Sequence, residues 1–284
     1  QVTVLMAVYN GTPYLRTAID SILGQTYSDF WFLIVDDAST DDTRETVKSY
    51  TDERIKMVCL NQNVGQAIAL NAGIQETTTP WIARMDSDDY SAPTRLEEQM
   101  QFLNNNPSIT CLGTHIWTFQ EDPQIVETVV TTPLAHSDIR RELLRRPSII
   151  HGSLVVKREA LLEAGGYDER YRVVTDLVLY DRLLNGYCGA NIPRQLLGVR
   201  QHDGRRSGSE LAFDEGLEIC SQRLLEDGYS KEEIGIIRVS MSRAYLQRAA
   251  ILGARRKFVT ALRDVWLALR ASPSNFIWHC FSIF

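Results

Sequence analysis

The densest chemistry in the chain is Asp86-Ser87-Asp88-Asp89, set directly after the strand-like run Trp81 to Met85. Two carboxylates flanking one residue at a strand end can share a hard divalent cation. Mg2+ or Mn2+ takes oxygen ligands and keeps positions open for substrate phosphates. The bland alternative is an acidic turn that caps the helix starting at Pro93. The place of the motif behind a buried-looking strand favours the functional reading. A second acidic pair, Asp36-Asp37, closes the run Phe30 to Val35. In a dinucleotide-binding fold an acid there would hold a ribose, but such a fold needs G-x-G-x-x-G after the first strand. Tyr9-Asn10-Gly11-Thr12-Pro13-Tyr14 carries a single glycine, and no phosphate-binding P-loop occurs either. Helix capping after Ser39 is the rival role for Asp36-Asp37.

These acids need a frame, and the first hundred residues supply one by alternating strand and helix patterns. Val2 to Tyr9 is nearly all apolar, as expected of a strand covered on both faces. Thr12 is expected to cap the following helix, with Pro13 at its first position and Leu15, Ala18, Ile19, Ile22 and Leu23 as its inward stripe. Ser39 is expected to start a second helix. Ile55 to Leu60 and Trp81 to Met85 read as further strands, Gly65 to Gln75 and Pro93 to Asn105 as helices. This β-α order predicts a mainly parallel sheet with helices on both faces, and ligands bind such sheets beyond the carboxyl ends of the strands. Three of those ends carry Tyr9-Asn10, Asp36-Asp37 and the Asp86–Asp89 cluster.

The second hundred residues are less regular. Strands are expected over 110–119, 125–130 and 196–201, and helices over 137–145, 158–164 and 176–185. His202 to Ser209 is a polar, basic, glycine-bearing loop and the clearest boundary; residues 210–271 read as helical throughout. Phe258, Leu262, Val265, Trp266 and Leu269 form an apolar stripe at helical spacing, expected to face a core. A sharper reading adds peripheral membrane contact, with Phe276, Ile277, Trp278, Phe281, Ile283 and Phe284 contributing.

Composition narrows the class. With 284 residues, 44% hydrophobic and 23% charged, the chain can bury a real core, which excludes wholesale disorder. A net charge of −6 argues against a nucleic-acid binder. No apolar run approaches bilayer length. Gln1 opens directly onto a strand-like run with no secretory leader ahead of it, so the start reads as an artificial boundary. Five cysteines at long spacings, without C-x-x-C, suit reduced thiols in a cytoplasmic protein better than disulfides or a zinc site.

The combination of V-x-V-L-M-A-V-Y-N (2–10), S-I-L-x-Q-T-Y (21–27), V-D-D-A-S-T-D-D-T (35–43), N-V-G-Q-A-I-A-L-N-A-G-I (63–74), R-M-D-S-D-D (84–89), G-G-Y-D-E-R-Y (165–171) and T-D-L-V-L-Y-D-R-L (175–183) resembles the family 2 glycosyltransferases over residues 2–207. The resemblance implies a GT-A fold and an inverting enzyme that uses a nucleotide sugar. It places Ala7 and Tyr9 at the nucleotide base, where Ala7 replaces the family's common proline, and gives Asp37 a hydrogen bond to that base, usually uracil. It sets Arg84, Asp86 and Ser87 beside the sugar nucleotide and makes Asp88 a metal ligand. It makes Asp176 the general base on the acceptor hydroxyl, and gives His202 a share in binding the metal or diphosphate. Thr175-Asp176 stands where the family usually has Glu-Asp.

The implied partners are a UDP-sugar, a divalent metal and a glycan or lipid-linked acceptor, in the cytoplasm or at a membrane surface. Residues 1–105 would take the nucleotide, 106–207 the acceptor, and 208–284 would form a helical C-terminal extension. The His202–Ser209 loop is expected to close over the donor diphosphate. A sugar-1-phosphate nucleotidyltransferase shares a similar sheet but would need a glycine-rich loop after the first strand. A degenerate, non-catalytic sugar-nucleotide binder would have little reason to keep Asp37, Asp86, Asp88 and Asp176 together.

Overall fold

In the computed structural model the described residues are 1–202 and 209–273. The expected lid loop, apart from its ends at His202 and Ser209, lies outside them, as does the aromatic tail beyond Pro273. The elements run β1 (Val2–Val8), α1 (Thr12–Leu23), β2 (Phe30–Asp36), α2 (Thr43–Lys48), β3 (Ile55–Cys59), α3 (Gln66–Glu76), β4 (Trp81–Met85), β5 (Tyr90–Ser91), α4 (Arg95–Asn105), β6 (Ile109–Phe119) and β7 (Thr128–Val130). They continue with α5 (His136–Leu143), a 3-10 turn (His151–Ser153), β8 (Val155–Lys157), α6 (Arg158–Glu163), α7 (Thr175–Gly186), β9 (Cys188–Arg200), α8 (Glu210–Arg223), α9 (Lys231–Ala254) and α10 (Phe258–Ala271).

The chain divides into two compact units, 1–140 with 147–203, and 141–146 with 204–284. The first is built on a sheet of order β3-β2-β1-β4-β8-β6-β9-β5, with β7 paired to β6. Strands β3, β2, β1 and β4 are mutually parallel, so their carboxyl ends share one edge. β8 runs antiparallel to both β4 and β6, and β9 runs parallel to β6. Val2, Val4, Met6 and Val8 of β1 pack with Leu15, Ala18, Ile19 and Ile22 of α1 and with Phe30, Phe32 and Ile34 of β2 in one buried core. That is the expected α/β architecture, with mixed strands added on one side.

Local expectations needed four corrections. Thr12 is the first residue of α1 rather than its cap; Gly11 holds the cap position, and the Thr12 hydroxyl donates to Asp41 Oδ2. α2 begins at Thr43 with Asp42 in the cap position, and the Ser39 hydroxyl instead accepts from the Asn10 backbone N–H. The two-residue β5 and three-residue β8 carry no periodicity of their own and exist through pairing with longer strands. The last strand starts at Cys188, well before Leu196.

In the second unit, Leu144 packs with Cys220, Ile236 and Ile237. Ser230 caps α9 in a reciprocal capping box with Glu233. The apolar stripe of α10 faces the opposite way from expectation. Phe258, Leu262, Trp266 and Leu269 are exposed, whereas Asp264 and Ala268 are its buried residues. The cause is an ion pair: Arg248 of α9 donates from Nε and Nη2 to the two carboxylate oxygens of fully buried Asp264, at 2.7 and 2.8 Å. This pair fixes which side of α10 turns inward.

Candidate active site

The turns after β1, β2 and β3 are tied to one another. Asn10, after β1, and Ala38, after β2, adopt left-handed backbone at φ 53° and 60°. For Ala38 this costs on the order of 1–2 kcal/mol, a strain of the kind that collects at functional edges. Cross-links hold both turns: Asn10 Oδ1 accepts from Thr40 N–H at 2.8 Å, and Ser39 N–H donates to Asp36 Oδ1 at 3.1 Å. Asp36 is fully buried and ion-paired to Arg44, a structural role. Asp37 is also buried, and its two oxygens each accept one backbone N–H, from Val64 and from Gly65, at 2.8 Å. It therefore shapes the turn before α3, and each oxygen keeps acceptor capacity. Gly65 sits there at φ 93°, a backbone that favours glycine. Tyr9 is 48% exposed, so its ring offers a stacking face at the sheet edge, next to half-buried Ala7.

The acidic motif after β4 is divided by burial. Arg84 is buried and ion-paired through Nη1 to Asp86; its Nε has no hydrogen-bond partner. Ser87 and Asp88 are half-buried. Burial first, then the Asp86 and Asp88 charges, pushes Asp89 well above the usual carboxylate range, and its Oδ1 accepts Arg200 N–H at 3.0 Å. His202 Nε2 lies 2.9 Å from Asp88 Oδ2. Cis positions around Mg2+ with bonds of about 2.0–2.1 Å stand roughly 3 Å apart, so this carboxylate–imidazole pair fits two neighbouring ligand positions. Among the described residues no group of three or more His, Cys, Asp or Glu side chains could hold a metal by itself. The remaining ligand positions would fall to substrate oxygens and water.

Asp176 lies in the first turn of α7, where its Oδ1 accepts Leu177 N–H at 2.9 Å. Burial raises it to about 6, against the opposing pull of that hydrogen bond and of Arg84, and with a further upward push from Asp86. The base candidate and the acidic motif thus feel one another. Tyr167 and Tyr180 join the same electrostatic neighbourhood. Tyr167 O–H lies 2.7 Å from His151 Nε2, and its backbone is clamped by the Asn71 side chain, which accepts from Tyr167 N–H and donates to its carbonyl. His151 is therefore a bonded histidine beside the site.

Sequence reasoning did not single out Arg200. This buried residue donates from Nε to the Asp88 carbonyl at 3.0 Å and from Nη1 to the Gln120 and Glu121 carbonyls. Its guanidinium lies 4.6 Å from both the Tyr14 and Phe119 ring centroids, and Tyr14 in turn packs on His202. The one signal it gave was a cation directly after the apolar run Leu196 to Val199.

The model for the family described as Glycosyl transferase family 2 matches residues 3–165. The O-antigen biosynthesis glycosyltransferase WbnJ of Escherichia coli is 31% identical over 240 residues, which cover 82% of this chain and 91% of WbnJ. Among solved structures, S. aureus TarS 1-349 in complex with UDP-GlcNAc aligns at a TM-score of 0.69 and 16% identity, covering 95% of this chain and 82% of that one. The mannosyltransferase PcManGT of Pyrobaculum calidifontis, in complex with GDP-Man and Mn2+, aligns at 0.64 and 18% identity, covering 99% of this chain and 78% of that one. At such identities the two structures speak for the fold, which is GT-A. The family match spans more than half of the sequence and WbnJ matches nearly end to end; the chain belongs to glycosyl transferase family 2.

Proposed function

We propose that this glycosyltransferase is an inverting, divalent-metal-dependent enzyme that moves a sugar from a UDP-sugar to a hydroxyl of a glycan or lipid-linked acceptor. The observation that carries the reading is half-buried Asp176, in the first turn of α7, within electrostatic reach of Asp86 and Arg84. A base held near 6 is deprotonated at neutral pH yet basic enough to take a proton in the transition state.

The residues divide the work. Tyr9 stacks on the base, and Asp37, beside Ala7, keeps acceptor capacity for an N–H of the base. Arg84, Asp86 and Ser87 position the donor sugar and diphosphate. Asp88 and His202 would hold Mn2+ or Mg2+, which when bound neutralises charge growing on the departing diphosphate. Asp176 removes the acceptor proton while the hydroxyl attacks the anomeric carbon opposite the leaving group, so the anomeric configuration inverts and no covalent enzyme intermediate forms.

Residues 1–105 would carry the donor and 106–207 the acceptor. WbnJ, named for O-antigen biosynthesis, supports a growing glycan as acceptor. TarS in complex with UDP-GlcNAc supports a UDP-sugar, and PcManGT with GDP-Man and Mn2+ supports metal use. The free thiols of Cys59, Cys111 and Cys188 support a reducing, cytoplasmic site of action.

The test is a thermal-shift series with UDP, GDP and their sugar conjugates, each with and without Mn2+. Ligand bound only by the folded state raises the midpoint. UDP with Mn2+ should give the largest rise. A larger rise with GDP would replace the base, and no rise with any nucleotide would sink the reading.

A further inference from the structure

The outward face of α10 is a feature that glycosyl transfer does not use. Phe258, Val259, Leu262, Trp266 and Leu269 are 62%, 85%, 70%, 53% and 42% exposed. At ~100° per residue they fall within an arc of about 100°, and the centre of that arc lies about 150° from that of buried Asp264 and Ala268. The helix is therefore amphipathic with its apolar face turned to solvent. The buried side is pinned by the Arg248–Asp264 pair.

Charge says what covers this face. Residues 255–273 hold Arg255, Arg256, Lys257, Arg263 and Arg270 against one acid, Asp264, a net +4 in a chain of net −6. The acid is buried and paired to Arg248. Arg255 and Lys257 share Glu210, and Arg263 touches Asp264, yet all three cations stay more than half exposed. Arg270 stacks on Trp266 at 4.7 Å. Two copies meeting through this face would bring like charges together, whereas an anionic surface is complementary to it. Among the described residues no helix is long and apolar enough to cross a membrane, so the contact is with the surface.

We propose that α10 is an interfacial helix: its apolar arc enters the headgroup boundary of an anionic bilayer and its cations meet the lipid phosphates. This stands apart from the catalytic reading, because no residue of α10 belongs to the active site. It would hold the enzyme on the leaflet that carries a lipid-linked substrate.

The test is flotation of the full chain with phosphatidylcholine vesicles, with and without phosphatidylglycerol. Wild type should float with the mixed vesicles and stay behind with phosphatidylcholine alone. Leu262→Glu combined with Trp266→Glu should abolish flotation. Arg263→Gln combined with Arg270→Gln should weaken it by roughly thirtyfold, two cations at about 1 kcal/mol each. Both variants should keep the wild-type unfolding midpoint and vesicle-free donor hydrolysis, since the altered side chains are exposed and none of them has a part in the chemistry. The proposal is overturned if wild type does not float, if it floats equally well on phosphatidylcholine, or if the variants float like wild type. It is also overturned if wild type is a dimer in light scattering that the Leu262/Trp266 variant splits.

Discussion

His202 Nε2 and Asp88 Oδ2 stand 2.9 Å apart although 114 residues separate them in sequence. The contact brings the end of β9 to the turn after β4, and Arg200 fastens the same two segments through the Asp88 carbonyl. On the proposed reading this carboxylate and imidazole would share the divalent cation. Asp88→Asn should remove the Mn2+-dependent part of the UDP thermal shift and lower kcat by at least ~100-fold, since metal stabilisation of the leaving group is worth several kcal/mol. His202→Gln should weaken the Mn2+ dependence without removing UDP binding. A full Mn2+ response in both variants would place the metal elsewhere.

Asp176→Asn should cost ~100-fold to 10,000-fold in kcat, the usual reach of a general base, with UDP and metal binding nearly intact. The same variant should be more stable than wild type at neutral pH. Burial favours the protonated acid, so folding takes up a proton between the ordinary aspartate range and about 6. That stability is present at low pH and is lost as pH rises through about 6; the linkage reaches on the order of 3 kcal/mol at neutrality. Asn does not ionise and escapes this loss. Unfolding midpoints of the two proteins should coincide near pH 4 and differ by several degrees near pH 8. Asp181→Asn, five residues along and about 140° around the helix, should leave most activity. Wild-type kcat in Asp176→Asn would move the base to another residue.

The pH profile follows from the same group. Donor turnover with acceptor present should give kcat/KM rising about tenfold per pH step below 6 and levelling above it, since the free enzyme's base must be ionised. Arg84, Asp86, Tyr167 and Tyr180 are the charged and titratable neighbours that act on Asp176. Arg84→Lys weakens a downward pull on this carboxyl and should shift the inflection upward. An inflection near 4, or none, would mean that Asp176 is not the titrating base.

Strands β1 and β2 were legible because each buries a nearly continuous apolar run, and α1 because it has a one-sided apolar stripe. β5 and β8 were not, since strands this short are created by their partners: Tyr90 by Gly198, Val155 by Ala83 and Leu112. The stripe of α10 shows a different limit. Periodicity reveals that a helix has an apolar face, and only the Arg248–Asp264 pair reveals which face is turned in. Within the site, Asp86 and Asp88 announced themselves by spacing. The pairing of Asp88 with His202, and the hub at Arg200, are products of tertiary closure that no local pattern encodes.

Gly152 offers a test of how tightly the acidic motif is packed. It lies in the 3-10 turn between α5 and β8, and a methyl group there would stand 2.9 Å from Leu197 Cδ2, 3.1 Å from Asp89 Oδ2 and 3.3 Å from Asp86 Oδ2. Leu197 is fully buried in the core, so it has little room to retreat. Asp89 is held through Arg200 N–H, and Asp86 is paired to Arg84. Adding one methyl group must therefore push both carboxylates or the strand behind them. Gly152→Ala should destabilise the fold by about 1–3 kcal/mol, as overpacking does, and should lower kcat more than it raises KM for the donor. Denaturant unfolding and steady-state kinetics on the same preparation measure the two effects. A variant with unchanged stability and unchanged kcat would show that the turn yields freely and that Asp86 and Asp89 need no such close packing to work.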